Sequence, residues 1–176
     1  WLLFSIILFF KPKIILEIGS FIGKSTFSMA LAADFNLTEC SCEIFCCDYS
    51  NEIKFPNLTK TKINQFHKTS SAEMFRRLDA NLNIDLIHVD GRLEVEDCTL
   101  LKERINDDTF FIIDDFEGNE KGVANLFNLL NNKVISRATY CVIYPIDNFV
   151  GKTYGLVEKS TTAVLMPIKF LKITSQ

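Results

Sequence analysis

The sequence predicts an α/β protein with a doubly wound, mostly parallel sheet of seven strands and helices on both faces. Three observations lead there. The apolar run Ile14-Ile15-Leu16 passes into a glycine-bearing turn and then into residues with helical spacing. Short apolar runs and helical patterns then alternate along the chain. Acidic residues close several of those runs (Glu17, Asp48, Asp90, Asp114), at the strand ends where open α/β sheets bind ligands.

The 176 residues suffice for a sizeable core, and 1–176 reads as a single domain. A hydrophobic content of 48% with 23% charged residues belongs to a globular chain, not a disordered one. The net charge of −3, from 19 basic and 22 acidic side chains, gives no electrostatic footprint for nucleic acid. Residues 1–10, WLLFSIILFF, are almost wholly apolar but too short to span a bilayer. No initiator Met or basic flank makes them a signal peptide as they stand. They are expected to form a helix packed on the sheet; the other reading is the tail of a membrane segment in a chain truncated at its N-terminus. Four of the six cysteines, Cys40, Cys42, Cys46 and Cys47, cluster without the paired C-x-x-C spacing of a zinc site. Cys42 and Cys46 fall on one face of a predicted strand and Cys47 on the other, as core thiols in a reducing cytoplasm would.

The first strand is expected over 13–18 and the next helix over about 23–33, with Phe27, Ala30 and Leu31 at three- and four-residue spacing. A polar connection leads to a second strand, 42–47, ending at Asp48. Residues 51–61, with Pro56, are a lid or a plain loop. A third strand is predicted over 62–68, then a helix opening at Thr69-Ser70-Ser71-Ala72-Glu73 with Ser70 or Ser71 as its cap. The run IDLIHVD, 84–90, is a fourth strand, and its His88 reads as a packed core histidine. A helix over 94–105 and a fifth strand over 109–113 follow, the strand ending in Asp114-Asp115. Residues 122–130 form a helix with Val123, Leu126, Phe127 and Leu130 on one face. Two further strands, 140–144 and 162–166, are joined by a loop with Gly151 and Gly155 and no clear helix.

The turn after the first strand narrows the ligand. Glycine accepts positive φ and lets a ligand approach the backbone, and free N–H groups at a helix start attract anionic groups. A P-loop needs four residues between Gly and Gly-Lys-Ser/Thr, whereas Gly19 and Gly23-Lys24-Ser25 are separated by three. A dinucleotide fingerprint needs a glycine where Phe21 stands and a third that does not follow. What remains is E-x-G-x-x-x-G, which resembles motif I of the class I S-adenosylmethionine (SAM) methyltransferases. The aromatic Phe21 followed by Gly23-x-Ser25 resembles their metal-dependent O-methyltransferase branch, as do Asp90-Gly91 and the run Ile112-Ile113-Asp114-Asp115-Phe116. The resemblance covers about 11–167.

That resemblance implies a Rossmann-like methyltransferase fold with an antiparallel last strand, and SAM-dependent methylation of a hydroxyl on a small-molecule acceptor. It implies a cofactor turn made by Glu17, Gly19, Ser20, Phe21, Gly23 and Ser25, with Asp48 on the ribose. Ser70 and Ser71 then border the adenine, although Thr69 stands where the family usually has Gly. Asp90 is the expected catalytic residue and lies beside the cofactor; Asp90, Asp114 and Asp115 together are expected to hold Mg²⁺ or another divalent ion. Chemistry agrees, since three carboxylates at neighbouring strand ends repel unless a cation sits among them. Asp48 suits ribose hydroxyls, a role NAD would use as well, or is a solvated loop acid.

One departure stands out. The branch often has an Asp two residues after its first metal acid, or a Lys or His three after it, as general base; here Arg92 and Leu93 occupy those places. Glu94 is the nearest substitute, a bound metal another route, and loss of activity a third outcome. Two other classes stay open: a P-loop-like NTPase using Lys24-Ser25, and a non-catalytic binding module that retains the fold. The acceptor's identity and the oligomeric state are not legible. No membrane partner is expected of the chain as it stands, and the expected location is the cytoplasm.

Overall fold

The alternation of side-chain direction along the strands sorts buried apolar residues onto two faces of one sheet. In β1 (Ile14–Ile18), Leu16 and Ile18 join one buried cluster and Ile15 the other. In β5 (Phe110–Ile113), Phe111 and Ile113 face the first cluster and Phe110 and Ile112 the second. Each such face must be covered, because burying a large apolar side chain contributes about 1.5–3 kcal/mol.

A computed structural model describes residues 2–116, 121–143 and 161–175, the last four by backbone alone. Its remaining elements are α1 (Leu2–Phe10), α2 (Lys24–Phe35), β2 (Glu43–Asp48), β3 (Lys62–His67), α3 (Ser71–Arg77) and β4 (Leu86–Val89). Then come α4 (Val95–Lys102), α5 (Gly122–Asn131), β6 (Tyr140–Ile143), β7 (Ala163–Pro167) and a 3-10 segment, Ile168–Ser175. Seven strands form one sheet in the order β3-β2-β1-β4-β5-β7-β6. The pairings from β3 through to β5 are parallel, and β7 runs antiparallel to both β5 and β6. This is the doubly wound α/β sheet expected, with its antiparallel last strand. Trp1, Tyr144, Gly151 and Gly155 lie outside the described residues.

Met74, Phe75, Cys98, Leu101 and Leu129 of α3, α4 and α5 cover one face, and Ile6, Ile7, Met29, Ala30 and Ala33 of α1 and α2 cover the other. The apolar N-terminal segment is therefore a packed helix, fastened by Asn36, whose side-chain amide donates to the Ile7 carbonyl at 3.0 Å. No described helix is long and apolar enough to cross a membrane. All six thiols are free, and burial pushes those of Cys42, Cys46 and Cys47 up to about 12, as inert core groups.

The inward face of α5 differs in part from the one predicted: Leu126 and Leu130 pack against the core as expected. Gly122, Asn125 and Leu129 are its buried residues, while Phe127 is exposed. Asn125 is drawn inward because the loop after β4 has backbone groups that need partners. Its side chain accepts from the Leu93 N–H at 2.9 Å and donates to the Gly91 carbonyl at 2.9 Å.

Candidate active site

The carboxyl ends of β1, β2 and β4 are held close by backbone bonds. The N–H groups of Gly19 and Ser20 donate to the Cys47 carbonyl at 3.0 and 3.2 Å, and Asp90 N–H donates to the Ile18 carbonyl at 2.8 Å. Gly19 has φ +89°, and a Cβ there would stand 2.8 Å from both the Asp90 carbonyl carbon and the Gly91 nitrogen. Only glycine fits that crossing. Phe21 also sits at positive φ, +43°, with its N–H given to Asp48 Oδ2 at 2.8 Å. The other carboxylate oxygen of Asp48 accepts from Ser50 N–H at 2.7 Å. Burial works to raise the Asp48 pKa, but those two N–H groups hold it below the ordinary carboxylate range. Asp48 is thus an ionised latch on the glycine turn, with lone pairs left for hydroxyl donors.

A cleft of about 550 Å³ opens between these strand ends and the starts of α3 and α4. Gly19, Asp48, Ser70, Ser71 and Asp90 line it, along with Ile18, Cys47, Arg92, Glu94 and Asp97. Ser70 caps α3 in a reciprocal box with Glu73. Glu94 caps α4, and Leu93, at one of the two places expected of a general base, is a core residue only 1% exposed. A larger cavity, about 770 Å³, lies by Lys102, Leu130, Arg137 and Tyr140, near the amino ends of β5 and β6. It is remote from the glycine turn, and open α/β sheets bind ligands at the other end.

Five expected cofactor residues, Glu17, Ser20, Phe21, Gly23 and Ser25, lie outside the lining of the cleft. Glu17 is wholly buried and, by the alternation of β1, points to the α2 face, opposite to Ile18. It accepts from Thr26 Oγ1, and its Oε1 lies 3.1 Å from His88 Nδ1. Phe21 is 66% exposed, Ser25 is on α2, and Gly23 backs onto the Phe55 ring. Ser20 is buried at the turn.

The acidic strand ends divide into two groups. Asp114 accepts from Thr162 Oγ1, and its Oδ2 lies 3.7 Å from His88 Nε2. Burial disfavours a charged His88, but Asp114 and Glu17 on either side outweigh it and push its pKa up to about 9. Asp90 and Asp115 instead meet at the ammonium of Lys121, whose Nζ is 2.6 Å from Asp90 Oδ1 and 2.6 Å from Asp115 Oδ2. Burial lifts the Asp90 carboxyl above the ordinary range even with Lys121 beside it. His88, Asn125, Lys121 and Thr162 were not legible as site residues, since each acts through a partner distant in sequence. A histidine paired across neighbouring strands with Glu17 was the one available signal.

Residues 16–116, more than half of the chain, match the family model described as a methyltransferase domain. The chain belongs to this methyltransferase family. No curated protein sequence matches it. Among solved structures, the methyltransferase is similar to a candidate O-methyltransferase from Klebsiella pneumoniae at 13% identity and a TM-score of 0.64, over 94% of this chain and 78% of that one. It is similar to the O-methyltransferase TomG from Streptomyces achromogenes, solved with SAM, at 15% identity and 0.63, over 94% and 78%. A candidate caffeoyl-CoA O-methyltransferase from Staphylococcus aureus gives 15% and 0.59, over 94% and 81%. At such identities the likeness is one of fold.

The cleft of this methyltransferase suits SAM: its volume, the Asp48 carboxylate, the Ser70 and Ser71 hydroxyls and the apolar Ile18 and Cys47 match a nucleoside with a charged tail. The expected three-carboxylate metal site fits less well. Asp114 is turned to His88 and Thr162, and an ammonium already sits between Asp90 and Asp115. Among the described residues no group of three or more His, Cys, Asp or Glu side chains is arranged to hold a metal ion.

Proposed function

We propose that residues 1–176 form one SAM-dependent O-methyltransferase domain acting on a hydroxyl of a small molecule, in the cytoplasm. The observation that carries this reading is the cleft at the strand ends, where the Gly19 crossing, the latched Asp48 and Asp90 converge. Bound there, SAM supplies an electrophilic methyl group on a sulfonium. Asp48 accepts the ribose hydroxyls, its charge preserved by the N–H groups of Phe21 and Ser50. Ser70 and Ser71, at the start of α3, border the base. Gly19 shapes the end of the cleft that takes the methionine part, with Ser20 buried behind it, and Asp90 closes it on the acceptor side. The protein would contribute alignment: the sheet edge would hold an acceptor oxygen in line with the methyl group that SAM would supply once bound, the hydroxyl proton leaving to solvent. Arg92, on the cleft lip, is placed to meet the acceptor.

Calorimetric titration with SAM, S-adenosylhomocysteine and ATP tests this. Micromolar SAM binding without ATP binding is expected; ATP binding alone would return the P-loop alternative. SAM binding without turnover on a broad panel of hydroxylated acceptors would favour the non-catalytic module.

A further inference from the structure

We propose that Lys121 is the built-in cation of the acceptor site. Its ammonium takes, between Asp90 and Asp115, the place that the metal-dependent O-methyltransferases resembled by the sequence give to a divalent ion, so the site works without metal. The proposal rests on the reading of the cleft as a methyltransferase site.

The carboxylates of Asp90 and Asp115 lie 2.6 Å from one Nζ, the distance of charge-assisted bonds. The third acid is committed elsewhere, with Asp114 held by His88 and Thr162. The backbone enforces this arrangement. Lys121 is the residue before α5, and Gly122 N–H donates to the Asp115 carbonyl at 3.1 Å. A Cβ at 122 would stand 2.6 Å from the carbonyl oxygens of both Asp114 and Asp115. The helix therefore starts hard against the acidic turn, which delivers Lys121 to it, and Asp115 meets it from a left-handed conformation, φ +55°. A divalent ion placed between Asp90 and Asp115 would meet the ammonium of Lys121 at close range, where like charges repel. An ammonium has three N–H donors; two go to the carboxylates and the third is offered to the acceptor oxygen.

Mn²⁺ is the probe, followed by electron paramagnetic resonance in the full chain without acceptor. Wild-type protein is expected to bind Mn²⁺ only weakly, with no change in Asp115→Asn. Lys121→Ala is expected to bind about tenfold tighter or more, as a carboxylate pair released to a hard cation does, and to lose that gain in Lys121→Ala/Asp115→Asn. Lys121→Met keeps the apolar stem should the alanine variant not fold. Tight Mn²⁺ binding by wild type that disappears in Asp115→Asn would overturn the proposal, as would folded Lys121 variants that gain nothing. SAM affinity measured on the same samples in excess chelator is expected to be unchanged. Absence of SAM binding would undo the functional reading while leaving the Mn²⁺ result to judge Lys121.

Discussion

The two sides of the cleft are built from different materials. On the side of β1 and β2, backbone groups do the holding: the turn is pinned to the Cys47 carbonyl, and Asp48 is fixed by two N–H groups. On the side of β4 and β5, side-chain charges do it: Lys121 bridges Asp90 and Asp115, and His88 links Glu17 to Asp114. A backbone-held carboxylate needs no partner with a charge of its own, so the first side is insensitive to its surroundings. The second side depends on charges being present together, most of all at the wholly buried Glu17 and His88, since a buried ion stripped of its partner is costly.

The largest effect is expected where the backbone side admits no side chain. Gly19→Val should abolish measurable SAM binding, because its Cβ meets Asp90 and Gly91 and its φ is forbidden to a β-branched residue. Calorimetry on variant protein shown to be folded checks this, and retained affinity would remove the turn from the site.

On the charged side, His88→Leu leaves Glu17 buried without its cationic partner, with only Thr26 still donating to it, and should cost about 3–5 kcal/mol of stability. Glu17→Gln in that background should recover part of it. Urea melts of the single and double variants measure the coupling; additive losses would mean the pair does not act as a unit.

Asp48→Ala should weaken SAM by about 1–3 kcal/mol, the range for hydrogen bonds to a charged acceptor. The pH response should separate the two sides further. The Asp48 pKa is lowered by folding, so its stabilisation is present above the unfolded carboxylate value and is lost as pH falls through the folded one. Asp90 is raised by burial, so the stability its shift contributes is present below the unfolded value and disappears as pH rises through the folded one. Carbon-13 titration of the carboxyl groups should therefore show Asp90 protonating first on acidification, with Asp48 still ionised. The reverse order would erase the contrast.

The smallest effect is reserved for Ser70→Ala. Losing the capping box should cost about 1 kcal/mol of stability. An equal loss of SAM affinity would show the hydroxyl touching the base directly rather than only closing the helix.

The sequence by itself determined the sheet, the glycine turn, Asp48 at the end of β2 and the acids at the ends of β4 and β5. Those features follow from short-range rules: short continuous apolar runs for strands buried on both faces, helical spacing, and a turn whose conformation requires glycine at position 19. Only the tertiary structure decided what the side chains at those positions do. Glu17 looked like a cofactor residue because it ends an apolar run, but strand alternation turns it to the α2 face, where Thr26 and His88 receive it. Asp114 and Asp115 are neighbours in sequence and part company in space, one toward Thr162, the other toward Lys121. Long side chains find partners across gaps of 6 to 71 residues here, and no local pattern encodes such a meeting. It is set by how closely Gly122 lets α5 approach the end of β5 and by which strands lie side by side, and both are properties of the packed fold.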